Sequence, residues 1–355
     1  MKILFAGGGT MGSVSPLLAI YEEAKSQSRN WEWFWIGSRQ GPERAVVEEA
    51  GIGYEWLPTV KLRRYFNWHV FIDPFILFIS FLRSILIITT IKPDVIISTG
   101  SFIAVPVIWA AWLWRKKIII HQQDIRPTLS NKLTAWCADT ITVSFTKSLA
   151  DYPKKKTKLI GNPVRQWIKS GSVVKAVELW GLDPNLATLL IVGGSTGAAS
   201  FNEWVWEYIS DLTKLGNIIH ITGKGKTNTA KDRPHYKQIE FLDKDMAHAL
   251  AVAMVVLTRA GLSALSELSS LAKASIVVPM PQTHQEDNAF YFASEHAAYV
   301  FRQDQLDDRV VTKIAQLLTE PEERATLEEQ MSQMMPKDAD RRMVEIIGQM
   351  EATSR

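Results

Sequence analysis

The sequence predicts an α/β fold of two Rossmann-like domains with parallel sheets, and three features of the 355-residue chain carry that expectation. Short apolar runs alternate with longer amphipathic stretches from the first residues onward, the rhythm of a parallel sheet covered by helices. The rhythm stops at Asn162-Pro163, where turn chemistry ends regular structure, and then begins again. The length suits two domains of common size, each able to bury its own core.

In the first half, KILFAGG, WEWFWIG, DVIISTG, KIIIHQQ and DTITVS are strand-like, and KTKLIGNPVR closes the series. A boundary between Gly161 and Arg165 gives expected domains of residues 1–162 and 163–355. In the second half ATLLIVGGS, NIIHITG, QIEFLD, MVVLTRAG and ASIVVPMP repeat the pattern, separated by helical stretches. From Asp307 onward the sequence is helical and charged; these helices are expected to finish the second domain, the last of them able to pack back on the first.

An apolar share of 46% and a charged share of 22% exclude disordered, collagen-like and disulfide-framework classes. Cys137 is the only cysteine, so no intrachain disulfide and no thiolate metal cage can form, and a reducing compartment is the simplest setting. A net charge of +3 is too weak to indicate a nucleic-acid partner. The start MKILFAGGG turns glycine-rich after one positive charge and lacks the long apolar region of a secretory signal, which predicts a cytoplasmic protein.

Lys61, Arg63 and Arg64 precede an apolar stretch from Phe71 to Ile91 that Asp73, Pro74 and Arg83 interrupt. The uninterrupted run falls short of the roughly 20 apolar residues of a spanning helix. Phe75, Phe78, Phe81 and Leu82 flanked by basic residues suit a helix lying in a membrane interface, a pattern that a core helix shares.

The first strand runs into Gly7, Gly8, Gly9, Thr10, Met11, Gly12 and Ser13, ahead of a helix expected to begin near Ser15-Pro16. Gly193, Gly194, Ser195, Thr196 and Gly197 repeat the arrangement in the second half, ahead of a helix near Ala198. Glycines there allow close approach of a ligand, and a helix N-terminus offers unpaired amides to an anion. A dinucleotide-dependent oxidoreductase would carry an acid about 20 residues after its glycine loop. Here the second strands end in Gly37-Ser38-Arg39 and Thr222-Gly223-Lys224, without that acid, and only Arg39 keeps a phosphorylated dinucleotide as an alternative.

Taken together, GGGTMGSVSPLLA, HQQDIRPTLSNKL, GNPVR, GGSTGAASFN, TRAGLSALSEL and VPMPQTHQEDNA occur in an order and separation that resemble the MurG type of glycosyltransferase over nearly the whole chain. That family adds N-acetylglucosamine to undecaprenyl-linked muramyl-pentapeptide in peptidoglycan synthesis. The resemblance implies a GT-B architecture with an interdomain cleft, UDP-N-acetylglucosamine held by the second domain, and a metal-independent inverting reaction with no cofactor. It also implies an undecaprenyl-linked acceptor reached by a peripheral protein at the cytoplasmic face of the cell membrane.

By the same resemblance, Thr10, Met11, Gly12 and Ser13 face the acceptor, and Ser195 with its neighbouring amides and Arg165 hold the diphosphate. Leu242 borders the uracil through its backbone, and Leu262, Ser263, Ala264, Leu265 and Ser266 lead to Glu267, which accepts from the ribose hydroxyls. Gln285, in the loop after the VPMP strand, reads the donor sugar. Without the motifs, Arg165 and Glu267 would be read as solvated or salt-bridged residues, and Gln285 as a turn residue.

Two motifs depart from the family's pattern. Where the family reads GGTGGH this chain has Met11 and Ser13, and a serine hydroxyl has no useful basicity near neutral pH. Where the family reads HEQN this chain has His121, Gln122, Gln123 and Asp124, so the carboxylate has moved by two positions. Asp124 is therefore the first candidate for the base and His121 the second, against the plainer readings of a cap residue and a satisfied histidine. A related enzyme using another lipid acceptor or donor sugar, and a non-catalytic paralogue that binds the lipid precursor, remain the alternatives.

Overall fold

The computed structural model describes residues 1–58, 73–194 and 197–352. Lys61, Arg63, Arg64, Phe71 and Ser195 lie outside the described residues. The chain forms two compact units, Met1–Arg165 with Pro336–Arg355, and Gln166–Met335.

Unit 1 runs β1 (Lys2–Ala6), α1 (Met11–Ser26), β2 (Glu32–Ser38), α2 (Glu43–Glu49), β3 (Gly53–Leu57), α3 (Asp73–Ile91), β4 (Val95–Ser98), α4 (Ala104–Leu113), β5 (Lys117–Gln122), α5 (Leu129–Thr134), β6 (Thr140–Val143) and β7 (Thr157–Leu159). The strands form one parallel sheet in the order β3-β2-β1-β4-β5-β6-β7. Alternation along β1 builds the two cores: Ile3 and Phe5 pack with Val14, Leu17 and Leu18 of α1, whereas Leu4 and Ala6 pack with Ile88 of α3 and Val107 and Ile108 of α4.

Unit 2 runs α6 (Val173–Trp180), β8 (Thr188–Val192), α7 (Ala199–Leu215), β9 (Asn217–Ile221), β10 (Tyr236–Ile239), α8 (Met246–Val252), β11 (Val255–Thr258), α9 (Leu262–Ser270), β12 (Ser275–Val277), α10 (His284–Ser294), β13 (Tyr299–Val300), α11 (Asp308–Thr319) and α12 (Pro321–Gln333). Its sheet is also parallel, in the order β10-β9-β8-β11-β12-β13. The last helix, α13 (Ala339–Ala352), belongs to unit 1, where Met343, Val344 and Ile347 share the core of α1.

Four expectations need correction. The second domain was expected to span residues 163–355 with its last helix able to pack back on the first; the residues from Pro336 do group with unit 1, where the apolar face of α13 is buried, so unit 2 ends at Met335. The first helix begins at Met11 and contains Pro16, whose missing N–H breaks the bond that residue 16 would make to the Gly12 carbonyl. β3 was missed because GYEWL is a short edge strand with Gly53 and Glu55 exposed, and β13 because it is two residues long. β10 ends at Ile239, so Phe241 and Leu242 lie in the loop at its carboxyl end.

In each unit the strand order reverses at one place, between β1 and β4 and between β8 and β11. The carboxyl ends of strands at such a reversal are where open α/β sheets bind ligands. The two glycine loops follow β1 and β8 and therefore sit at these two points.

Candidate active site

In unit 1 the loop after β1 is held largely by side chains that grip its carbonyls. The Trp35 indole donates to Gly7 O at 2.7 Å, the Ser101 hydroxyl to Gly8 O at 2.9 Å and the Thr99 hydroxyl to Ser13 O at 2.6 Å. Gln123 in turn donates to Thr99 O at 2.9 Å. Thr99 thus brings the HQQD segment, which ends β5, to the glycine loop.

Thr10 and Gly12 are exposed on that loop, and the Thr10 hydroxyl does not cap α1 although Thr10 is its N-cap residue. Ser13 is half-buried, with Gly8 O and Thr10 O both within 3.2 Å of its hydroxyl, which spends its proton inside the loop. The Met11 side chain packs against the α1–α13 core, so it fills the start of a helix instead of facing an acceptor.

His121 does not qualify as a base. It is completely buried in β5, with Thr142 Oγ1 and Asn162 Oδ1 each 3.0 Å from a ring nitrogen. Because an amide oxygen only accepts, Nε2 carries the hydrogen and Nδ1 accepts from Thr142. Burial pushes its pKa down to about 4, so the ring is neutral at neutral pH and serves to join β5, β6 and Asn162.

Asp124 is half-exposed in the loop after β5. It is not a helix cap: α5 is capped by Thr128, whose hydroxyl accepts from Asn131 N. Gln122, buried beneath it, donates through Nε2 to Asp124 O at 3.1 Å and to Asp151 Oδ2 at 3.0 Å. The glutamine that stands where the family has glutamate thus fixes the backbone of the next carboxylate.

In unit 2, α7 and α9 start at the strand-order reversal behind Ala198 and Gly261, neither of which has a side chain that can accept from first-turn amides. Such starts are suited to an anion. On α9, Ser263, Ala264 and Glu267 lie at the surface, whereas Leu262, Leu265 and Ser266 are buried. The side chains of Leu262, Leu265 and Ser266 are therefore core and cannot face a substrate; the Ser266 hydroxyl donates back to Leu262 O at 2.7 Å.

Gln285 lies in the first turn of α10, not in a loop, because Thr283 caps that helix by accepting from Gln285 N. Its Oε1 accepts from Met280 N at 3.0 Å. Asn288, one turn on, donates to Ala260 O at 3.3 Å and so ties α10 to the start of α9. Arg165 belongs to unit 1, where its Nε donates to Glu22 of α1 at 2.9 Å.

Arg259 was missed from sequence. It is buried at the end of β11, donating to Val278 O, Pro279 O, Ser200 Oγ and Gln303 Oε1 at 2.7–3.2 Å, with its guanidinium 4.5 Å from the centre of the Phe201 ring. All these partners are uncharged, and burial lowers its pKa. A guanidinium held by neutral acceptors keeps its positive field beside the starts of α7 and α9.

These features define an α/β protein with a glycine loop at the strand-order reversal of each of its two parallel sheets. Residues 3–143 match the model of the glycosyltransferase family 28 N-terminal domain and residues 188–343 that of its C-terminal domain. The UDP-N-acetylglucosamine--N-acetylmuramyl-(pentapeptide) pyrophosphoryl-undecaprenol N-acetylglucosamine transferase of Lachnoclostridium phytofermentans is 35% identical over 315 residues, 87% of this chain and 88% of that protein. The transferase of the same name from Shouchella clausii is 34% identical over 322 residues, 89% of this chain and 90% of that protein. The crystal structure of Acinetobacter baumannii MurG matches with a TM-score of 0.74 at 21% identity, covering 98% of this chain and 99% of that one. The chain belongs to glycosyltransferase family 28 and, within it, to the MurG type, with the GT-B fold.

Proposed function

We propose that the protein transfers N-acetylglucosamine, with inversion, from UDP-N-acetylglucosamine to undecaprenyl-diphospho-muramylpentapeptide in peptidoglycan synthesis, working as a peripheral protein on the cytoplasmic face of the cell membrane. The observation that carries this reading is the constellation in unit 2: two helix starts without side-chain caps and a buried guanidinium whose hydrogen-bond partners among the described residues are all uncharged, gathered at one strand-order reversal. Expelling UDP builds negative charge on a diphosphate, and prearranged amides and a fixed cation stabilise that charge as it forms. Glu267 is suited to accept from the ribose hydroxyls and Gln285 to read the sugar, while the loop holding Leu242 flanks the base.

On the acceptor side, Asp124 is the proposed base, its backbone fixed by Gln122, and Thr10, Gly12 and Ser13 are the proposed contacts to the acceptor. The sugar hydroxyl that attacks must lose a proton, and Asp124 is a half-exposed carboxylate beside this loop system.

Membrane contact is assigned to α3 and its neighbours. By length and composition α3 could cross a bilayer, yet Ser80, Ser84, Ile87 and Ile88 are buried on the unit while Phe75, Phe78, Ile79, Leu82 and Leu86 form an exposed stripe. Trp112, Leu113, Trp114 and Trp136 add exposed apolar surface in the same unit, next to Arg115 and Lys116. An exposed apolar stripe, with exposed tryptophans and basic residues on the same unit, suits the headgroup region of anionic lipid.

The test is transfer by purified protein: acceptor-dependent UDP release with a disaccharide product supports the reading. UDP-N-acetylglucosamine binding without transfer to this acceptor would overturn it in favour of another acceptor or a non-catalytic role.

A further inference from the structure

Glu43, the first residue of α2, carries a carboxylate yet is completely buried. A buried carboxyl group needs donors on its oxygens. Ser38 N and Ser38 Oγ donate to Oε1 at 2.7 and 2.6 Å, the Tyr54 hydroxyl lies 3.5 Å from the same oxygen while donating to Ser38 O at 2.6 Å, and Gly9 N donates to Oε2 at 3.1 Å. The first three partners sit on β2 and β3, behind the glycine loop; the fourth is the loop itself.

The fit leaves no room for another side chain. A Cβ on Gly8 would lie 2.2 Å from Glu43 Oε1 and 3.0 Å from Ile103 Cδ1, so any larger residue here would displace the carboxylate from α2. Gly9, which follows, has φ of +86° and is exposed. Trp35, Ser101 and Thr99 hold the carbonyls of Gly7, Gly8 and Ser13, and Glu43 takes hold between them, on an amide.

We infer that Glu43 is a positioning residue for the acceptor: it touches no substrate, but its Oε2 sets the Gly9 peptide and, through it, the presentation of Thr10, Gly12 and Ser13. The inference rests on the proposed acceptor role of this loop. A carboxamide of the same shape shows why two acceptor oxygens matter. The single oxygen of a glutamine can serve the Ser38 pair or Gly9, and the two donors of Ser38 outweigh the one of Gly9. The amide group then meets the Gly9 N–H donor to donor.

The test compares wild type with Glu43→Gln in transfer from UDP-N-acetylglucosamine to the polyprenyl-diphospho-muramylpentapeptide, alongside amide hydrogen exchange. The expected result is an acceptor KM raised about tenfold with donor KM within about twofold. Exchange across residues 7–13 should speed up while the rest of unit 1 holds its protection. Unchanged acceptor KM with unchanged loop exchange overturns the inference. So does faster exchange throughout unit 1 with both KM values rising together, which would make Glu43 a general support of the fold. If wild type itself transfers nothing, the acceptor reading fails, and loop exchange in the variant still decides whether Glu43 orders the loop.

Discussion

The two glycine loops occupy equivalent places in their sheets and are built by different means. In unit 1 the space at Gly8 is taken by a side chain, the Glu43 carboxylate, and hydroxyl, indole and carboxylate groups fix the loop from outside. In unit 2 the space at Gly197 is taken by backbone: a Cβ there would lie 2.1 Å from Thr222 O, at a φ of +70°. A loop shaped by side chains can be retuned by single substitutions elsewhere in the chain, whereas one shaped by main chain cannot. Met11 and Ser13, which set the first loop apart from the GGTGGH pattern, fall in the loop that side chains shape.

The largest effect that would sharpen this contrast is expected from Asp124→Asn. If the carboxylate is the base, turnover should fall about a thousandfold while UDP-N-acetylglucosamine binding, measured by calorimetry, stays as in wild type. Intact turnover would remove Asp124 from the chemistry.

Next in size is a pH effect confined to unit 1. His121 is protonated less readily in the folded state, near pH 4, than in the unfolded chain, near pH 6.5. The unfolded state therefore binds more protons between those values, and stability present above pH 6.5 is lost as pH falls towards 4. The loss from this residue is about 3 kcal/mol. Urea titrations of wild type and His121→Gln at pH 7 and 4.5 check it: the difference in stability between the two proteins should shrink at the lower pH.

Arg259→Lys probes unit 2. Lysine keeps the charge but cannot span four separate acceptors, so unit 2 should lose about 2 kcal/mol and donor KM should rise, with acceptor KM little changed. A rise confined to acceptor KM would break the assignment of the two loops.

The smallest change in stability should come from Phe75→Ser with Phe78→Ser. These rings are 64% and 56% exposed, so the double variant should stay within about 0.5 kcal/mol of wild type while its partition onto phosphatidylglycerol vesicles drops roughly tenfold. Unaltered vesicle binding by the folded variant would sink the membrane assignment of α3.

Much of this was legible in the sequence because central parallel strands are buried on both faces and read as continuous apolar runs, as in Lys117–Gln122 and Thr188–Val192. The glycine loops were legible for a similar reason, each marking a turn from strand to helix. Two of the four edge strands were not, β13 because it is two residues long and Gly53–Leu57 because it is half in water and its pattern dilutes accordingly. Glu43 and Arg259 were invisible because their roles come from partners far along the chain: Gly9 for the one, and Ser200, Val278 and Gln303 for the other. Gln285 was placed in a loop although Thr283 followed three residues later by Glu286 has the spacing of a helix start, a signal that the proline-rich run before it obscured.

The return of α13 to unit 1 bears on how the protein is made. Unit 2 is one uninterrupted stretch and can close as soon as it leaves the ribosome, but Val14, Leu17 and Tyr21 wait for Met343, Val344 and Ile347. At about 5–20 residues per second, an apolar face on α1 stays open for roughly 10 to 40 s after the rest of its sheet has been synthesised. Unit 1, whose synthesis begins first, is therefore the last to be completed.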